Sequence, residues 1–146
     1  MSIIRKASLT ILEKDGKILF LKRQNTGFSD GFYTLPSGKV DINESFLEAA
    51  VRETLEEVNV LIDPIDLRSV YIMLEKNSNE EWLHHFFLCK IWDGEIKNME
   101  ENKCSEVKWF ELDKLPDNIM PIVKIALDKV YVENCCFSER VREMKF

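Results

Sequence analysis

The chain has 146 residues, a formal net charge of −6 and 45% hydrophobic residues. This length and apolar content predict one globular domain over residues 1–146 and exclude wholesale disorder. No apolar run approaches the roughly 18 residues of a membrane span, and the first residues lack a secretory signal, so we expect a cytoplasmic protein without a membrane partner. The acidic balance argues against a general nucleic-acid binder.

The first third of the chain predicts a β-hairpin followed by a loop. Apolar residues alternate with polar ones around Leu9, and a second apolar run ends at Arg23. Asp15 and Gly16 lie between the two runs, which is typical of a tight hairpin turn. Residues 24–37 are rich in Gly, Asn, Ser and Asp, so we expect a loop that runs into a short strand.

Residues 45–58 predict an amphipathic helix, because six residues share one face at helical spacing: Leu47, Ala50, Val51, Thr54, Leu55 and Val58. Glu53, Glu56 and Glu57 fall together on the far side, where like charges repel. A divalent cation would offset this repulsion, and carboxylates joined by a backbone carbonyl suit Mg²⁺. A solvated acidic face is the alternative.

Alternating apolar residues predict further strands after the helix. They cover residues 58–62, 67–74, 82–92 and 107–112. His84 and His85 are adjacent in one of these strands and therefore point to opposite faces, which excludes a site that uses both as metal ligands.

The C-terminal part predicts a second helix and a tail. Pro121 suits the first turn of a helix that continues at helical spacing to Val130. Residues 134–146 predict a tail or a short extra helix, with Phe137, Val141 and Met144 on one side. The four cysteines form no CxxC pair and no zinc-ligand spacing, so we expect reduced thiols.

The stretch from Gly38 to Val60, GKVDINESFLEAAVRETLEEVNV, resembles the Nudix box. That pattern is Gly, five residues, Glu, seven residues, Arg-Glu, a hydrophobe, any residue, Glu-Glu, any residue, Gly and a hydrophobe. Seven positions are in register: Gly38, Glu44, Arg52, Glu53, Glu56, Glu57 and Val60. Neither departure within the box removes a carboxylate, because Thr54 replaces a hydrophobe and Asn59 replaces the second glycine.

Each departure from the family pattern has a physical consequence. Thr54 is able to bury its methyl group and bond a carbonyl one turn back. Asn59 suits a left-handed helix cap. Ser37 stands for the first glycine of a Pro-Gly-Gly approach, and it would be strained if that position needs a positive φ angle.

The resemblance implies an α/β protein with the Nudix fold, an α/β/α sandwich with a mixed sheet. It implies Mg²⁺, with Mn²⁺ able to substitute, held by Glu53, Glu56, Glu57 and the Gly38 carbonyl. Arg52 would orient a box glutamate. We expect Glu44 to be either an outer ligand or an anchor for the start of the helix.

Four residues outside the box are further candidates by analogy with the family. Arg23 lies where family members often place a basic residue near the substrate phosphates, with a surface charge as the alternative. Glu100, or else Glu101, would supply a further glutamate, and simple solvent exposure is equally open. Asn118 is a candidate for base contact or a plain turn residue.

The implied activity is hydrolysis of the diphosphate linkage in a nucleoside diphosphate derivative, with Glu53 or Glu100 as the general base. A (d)NTP, as for MutT-like pyrophosphohydrolases, is the first expectation, and ADP-ribose or another nucleotide sugar is the alternative. A non-catalytic module that senses nucleotides is the rival from another class. The expected partner is a small nucleotide, bound by a monomer or homodimer; the base, the sugar and the attacked phosphorus stay open.

Overall fold

The structure is a computed structural model that describes residues 3–142. Its strands are β1 (Ile3–Lys14), β2 (Lys17–Arg23), β3 (Tyr33–Thr34), β4 (Ser37–Lys39), β5 (Arg68–Lys76), β6 (Glu80–Cys89), β7 (Cys104–Glu111) and β8 (Phe137–Val141). Its α-helices are α1 (Phe46–Val58) and α2 (Pro121–Asp128), and a π-helical turn (Lys129–Glu133) extends α2. None of the helices within residues 3–142 is long and apolar enough to cross a membrane.

The eight strands form one mixed sheet in the order β3-β2-β1-β6-β5-β8, with β4 on β1 and β7 on β2. The β1–β6 and β5–β8 pairs are parallel and the others are antiparallel. Strands β1 and β2 pair only beside their hairpin, at Glu13 and Lys14, whereas β4 pairs with β1 from Ala7 to Leu9. The sheet therefore has two parts that separate beyond the β1–β2 hairpin: β2, β3 and β7 form one, and β1, β4, β5, β6 and β8 form the other.

Each face of the sheet is covered by one helix, as the predicted α/β/α sandwich requires. The core under α2 includes Leu9, Phe20, Tyr33, Met73, Phe86 and Val123. The core under α1 includes Leu12, Leu21, Ala50, Val58, Phe87 and Cys89. Because side chains alternate along a strand, neighbours such as Phe86 and Phe87 enter opposite cores. The expectation of one domain over residues 1–146 stays a prediction.

The predicted helix is confirmed, and both of its ends are capped. Ser45 accepts a hydrogen bond from the Glu48 N–H while Glu48 bonds back to the Ser45 N–H, which forms a capping box. Asn59 ends the helix in the left-handed conformation at φ 62°. The Thr54 hydroxyl donates to the Ala50 carbonyl at 2.9 Å, so both box departures fit their positions.

The buried face of α1 is partly different from the predicted one. Leu47 and Leu55 are 39% and 45% exposed, whereas Ala49, which was not on the predicted face, is fully buried. The helix is therefore rotated relative to the predicted orientation. Its acidic side contacts β4, where the Ser37 N–H donates a hydrogen bond to Glu57. Small Ala49 and Ala50 side chains then face the sheet.

Two of the predicted elements are wrong. Residues 58–62 form no strand, since Val58 ends α1 and Leu61 makes a single bridge to Asp93. Within the predicted C-terminal segment, Phe137 to Val141 form neither a tail nor a helix, because they pair in parallel with β5. The edge of β5 offers unpaired backbone groups that this segment satisfies. Met144 lies outside the described residues.

Other local predictions are confirmed. Asp15 and Gly16 both have positive φ, as a tight hairpin turn requires. His84 lies on the α2 side near Glu75, and His85 lies on the α1 side against Phe46. The four cysteines are free thiols.

Candidate active site

Arg52 is the centre of a network of polar contacts at the start of α1. Its Nε and Nη2 donate to the two carboxylate oxygens of Glu44 at 2.7 and 2.9 Å, and its Nη1 donates to Glu53 Oε1 at 2.6 Å. Nη2 also donates to the Lys39 carbonyl at 3.1 Å, and Nη1 lies 3.4 Å from Glu56 Oε2. The guanidinium thus fixes Glu44 and Glu53 relative to β4.

Glu44 lies in this network as an anchor for the start of the helix. Hydrogen bonds from Arg52, helped by the Asp41 N–H, lower the pKa of Glu44 to about 2. Its two oxygens are thereby committed to Arg52 and Asp41. Of the two roles left open by the sequence, this geometry favours the anchor over the outer ligand.

Glu53 approaches the backbone of β4 at the glycine that begins the box. A Cβ added to Gly38 would lie 2.1 Å from Glu53 Oε1, so only glycine leaves room for the carboxylate. Burial raises the pKa of Glu53, and hydrogen bonding and charge from Arg52 oppose that effect. Gly38 and Glu53 are therefore adjacent, as a shared ligand set would require.

Glu57 is more deeply buried than the other two box glutamates on α1. Its Oε1 accepts the Ser37 N–H at 2.7 Å. Burial raises the pKa of Glu57 well above 4.5, and the charges of Glu53 and Glu100 add to this. The Ser37 N–H lowers the pKa but does not outweigh the burial, so the ionised carboxylate is poorly stabilised by protein groups alone.

The loop before β7 brings Glu100 to the box glutamates. The Met99 N–H donates to the Glu57 carbonyl at 3.0 Å, so this loop follows the end of α1. The charge of Glu100 contributes to the raised pKa of both Glu53 and Glu57. Glu100 is half-buried and Glu101 is exposed, so the geometry favours the first of the two candidates.

The donor chemistry of this cluster fits a hard divalent cation. Glu53, Glu56, Glu57 and Glu100 offer only oxygen ligands, and a cation would offset the burial and repulsion that raise the pKa of two of them. Within residues 3–142, no three His, Cys, Asp or Glu side chains already converge at metal-binding distance. The reason is that Glu53 and Glu56 turn toward Arg52, and Glu57 turns toward Ser37.

Arg23 lies near the acidic cluster but its donors are engaged in the loop at residues 24–32. Its Nε donates to the Phe28 carbonyl at 2.9 Å and its Nη2 to Thr26 Oγ1 at 3.1 Å. Its charge still lowers the pKa of Glu57, although burial of Glu57 outweighs it. The role of Arg23 toward phosphate stays a prediction.

Asn118 holds the same loop from the other side. Its Nδ2 donates to the Gly31 carbonyl at 2.8 Å, and its own carbonyl accepts the Tyr33 N–H at 2.8 Å. The amide is thus used in the turn, which is the alternative that the sequence left open. Base contact by Asn118 stays a prediction.

Two groups in β4 were missed by the sequence analysis. The Ser37 N–H bonds Glu57, and the Lys39 carbonyl bonds Arg52. Ser37 lies in a strand and its φ is not positive, so the backbone strain that a positive φ would cause is absent. No side-chain pattern signals a backbone contact, although the resemblance of this approach to the family's Pro-Gly-Gly was the one available hint.

Comparisons with known proteins agree with this geometry. The NUDIX domain family model matches residues 4–130. The ADP-ribose pyrophosphatase of Methanocaldococcus jannaschii is 33% identical over 124 residues, which cover 85% of this chain and 72% of that protein. The oxidized purine nucleoside triphosphate hydrolase of Danio rerio is 29% identical over 110 residues, covering 75% and 67%.

The fold also matches a solved structure. The crystal structure of a MutT Nudix hydrolase from Burkholderia pseudomallei superposes with a TM-score of 0.79 at 28% identity, covering 87% of this chain and 98% of that one. The expected α/β fold with its mixed sheet is thereby confirmed. Members of this family generally use divalent metal ions. This chain belongs to the Nudix hydrolase family and is a pyrophosphohydrolase.

Proposed function

We propose that the chain hydrolyses the phosphoric anhydride linkage of a nucleoside diphosphate derivative and uses Mg²⁺, with Mn²⁺ able to substitute. Glu53, Glu56, Glu57 and the Gly38 carbonyl would hold the cation. The supporting observation is the buried Glu57 carboxylate beside Glu53, both with a raised pKa, because a bound cation would favour the ionised form of both groups.

The cation, when bound, stabilises negative charge on the diphosphate and makes water easier to ionise. Arg52 orients Glu53 through the 2.6 Å hydrogen bond and is itself held by Glu44. Glu53 or Glu100 accepts the proton of the attacking water, since both lie in the acidic cluster. Comparing the pH–rate profiles of Glu53→Gln and Glu100→Gln distinguishes them: only the base variant loses the acidic limb.

Arg23 and Asn118 are proposed substrate contacts that depend on a rearrangement of residues 24–32. Both side chains bond this loop, so a phosphate would compete with Phe28 and Thr26 for Arg23. The charge effect of Arg23 on Glu57 supports its nearness to the phosphates.

The first expected substrate is a (d)NTP, and similarity to the Danio rerio hydrolase supports this choice. ADP-ribose is a second candidate, because the pyrophosphatase from Methanocaldococcus jannaschii is more similar at 33% identity. A panel of nucleoside triphosphates, ADP-ribose and nucleotide sugars, run with and without Mg²⁺, separates the two. Mass analysis in ¹⁸O-water then identifies the attacked phosphorus.

The same panel tests the proposal as a whole. We expect Mg²⁺-dependent product release by the wild type and none by Glu57→Gln. Nucleotide binding without any product release would instead support the non-catalytic sensing module. Turnover by Glu57→Gln equal to that of the wild type would contradict the assignment of the box glutamates as metal ligands.

A further inference from the structure

One end of the sheet carries an aromatic pair on its α2 side. In the strand register, Arg5 of β1 lies opposite Trp82 of β6, and Ala7 lies between Lys39 of β4 and His84 of β6. Paired residues share a face, so these side chains lie on the side where Ala7 joins the α2 core. The Trp82 and His84 rings stack with centroids 5.6 Å apart and planes inclined by 5°.

Two cations lie over the indole of this pair. The Lys39 Nζ is 5.8 Å from the Trp82 ring centroid, and the Arg5 guanidinium carbon is 6.0 Å from it. Lys39 is exposed, and the Arg5 side chain is 41% exposed. Local positive charge beside an aromatic ring is notable in a chain whose net charge is −6.

Lys39 connects the aromatic pair to the candidate active site. It directly follows Gly38, and its carbonyl accepts a hydrogen bond from Arg52 Nη2 at 3.1 Å. Its ammonium group contacts Trp82. Lys39 thus joins the Arg52 network, through its backbone carbonyl, to the indole ring, through its side chain on the α2 side of β4.

The aromatic pair is held by Glu80 and Glu75, and Arg5 is held by Glu80, because its Nε donates to Glu80 Oε2 at 2.6 Å. Trp82 Nε1 donates to Glu80 at 2.9 Å, and the buried His84 lies 3.5 Å from Glu75. Lys39 is a long, exposed side chain with a large rotamer freedom. A planar ring is therefore able to replace the Lys39 ammonium over Trp82 while Arg5 and the indole keep their hydrogen bonds to Glu80.

We propose that Trp82 is the residue on which the base of the nucleotide substrate stacks, with Lys39 moving from the indole to a phosphate. This inference rests on the proposed function, because it assigns the base end of the molecule cleaved at the box. Stacking on an indole tolerates every base and strengthens with ring area. The site therefore prefers purines to pyrimidines and discriminates weakly between adenine and guanine.

Tryptophan fluorescence tests the stacking independently of hydrolysis. AMP is titrated into the metal-free protein with excitation at a wavelength that the base does not absorb. We expect quenching in the wild type and in Trp92→Phe, and none in Trp82→Phe. Trp92 is a matched control, because it stacks on Trp109 in the α1 core, with ring centroids 6.2 Å apart.

Calorimetry then measures what the ring contributes to binding. Trp82→Ala should weaken AMP binding about tenfold, and Trp82→Phe should largely restore it. Ribose 5-phosphate should bind more weakly than AMP and should not quench. The proposal is overturned by quenching that persists in Trp82→Phe, by equal quenching with ribose 5-phosphate, or by the absence of AMP binding.

The outcome is separable from that of the proposed function. Quenching through Trp82 without turnover of any substrate would retain the stacking site and remove the hydrolase assignment. Turnover with no effect of Trp82→Ala on the KM for purine nucleotides would retain the enzyme and overturn the stacking site.

Discussion

The guanidinium of Arg52 and the carboxylate of Glu44 lie side by side at the start of α1, joined by two hydrogen bonds of 2.7 and 2.9 Å. The remaining nitrogen, Nη1, is thereby aimed at Glu53. The pair links a loop residue to the acidic side of a helix, and it fixes one candidate metal ligand through a residue that is not itself a ligand.

Arg52→Lys should lower kcat about tenfold or more and change the melting temperature little. Lysine keeps the charge but is unable to hold Glu44 and Glu53 at once, since it lacks the planar fork of donors. Steady-state kinetics and thermal unfolding check this. The exposed Arg68→Lys is the control; an unchanged kcat in Arg52→Lys would contradict the orienting role.

Gly38→Ala should reduce activity strongly, by about a hundredfold, with a modest loss of stability. The new Cβ would meet Glu53 Oε1 at 2.1 Å, and the flexible end of that side chain must move away. Kinetics and melting temperatures should be compared with those of Gly94→Ala. There the Cβ would meet the Asn59 backbone oxygen at 2.6 Å, at φ +95°.

The two glycine variants should therefore separate site from stability. Gly94→Ala should lower the melting temperature more than Gly38→Ala does, because the rigid backbone at Asn59 must shift, and it should lower kcat less, because its added Cβ does not meet Glu53. The reverse ranking of the two variants, with Gly94→Ala less active and Gly38→Ala less stable, would refute the assignment of Gly38 to the site.

Mg²⁺ at millimolar concentration should raise the melting temperature of the wild type, and a chelator should reverse the rise. A ligand that binds the folded chain better than the unfolded chain stabilises it by mass action. Glu57→Gln should abolish the rise together with turnover, and Glu56→Gln should blunt both. Substitution of the exposed Glu95 by Gln serves as the control. A wild-type melting temperature that does not change with Mg²⁺ would show that the acidic side of the helix is only solvated charge.

Glu75 should make stability pH-dependent through the C-terminal strand. Its Oε2 accepts hydrogen bonds from Arg140 and Arg142 at 3.2 and 3.1 Å, and Oε1 lies 3.5 Å from His84. Burial alone would raise the pKa of Glu75, but the hydrogen bond from His84 and the charges of Arg142, His84 and Arg140 outweigh it, so the pKa is lowered below 4.5.

A carboxyl group with a lowered pKa stabilises the fold above its unfolded pKa, and this stability is lost as the pH falls through the folded value. Urea unfolding should therefore show a free energy of unfolding that falls below about pH 4.5. In Glu75→Gln that fall should be shallower, and the free energy at pH 7 should be lower by about 1–3 kcal/mol. Identical pH profiles for both proteins would contradict the role of Glu75.

The acidic helix, its C-terminal cap and the hairpin were predicted from the residue pattern. Each depends on groups close together in the chain: the helix repeats at fixed spacing, Asn59 takes a left-handed φ, and Asp15 and Gly16 close a two-residue turn. The three box glutamates on the helix were predictable for the same reason, because one helix carries them at fixed spacing.

Only the tertiary structure decided which groups those glutamates contact. Rotation of α1 brings Glu57 to the Ser37 N–H, and the loop before β7 brings Glu100 to its side. The last strand pairs with β5 instead of forming a helix. These outcomes depend on backbone groups and sheet edges contributed by residues far apart in the chain, and no local periodicity contains that information.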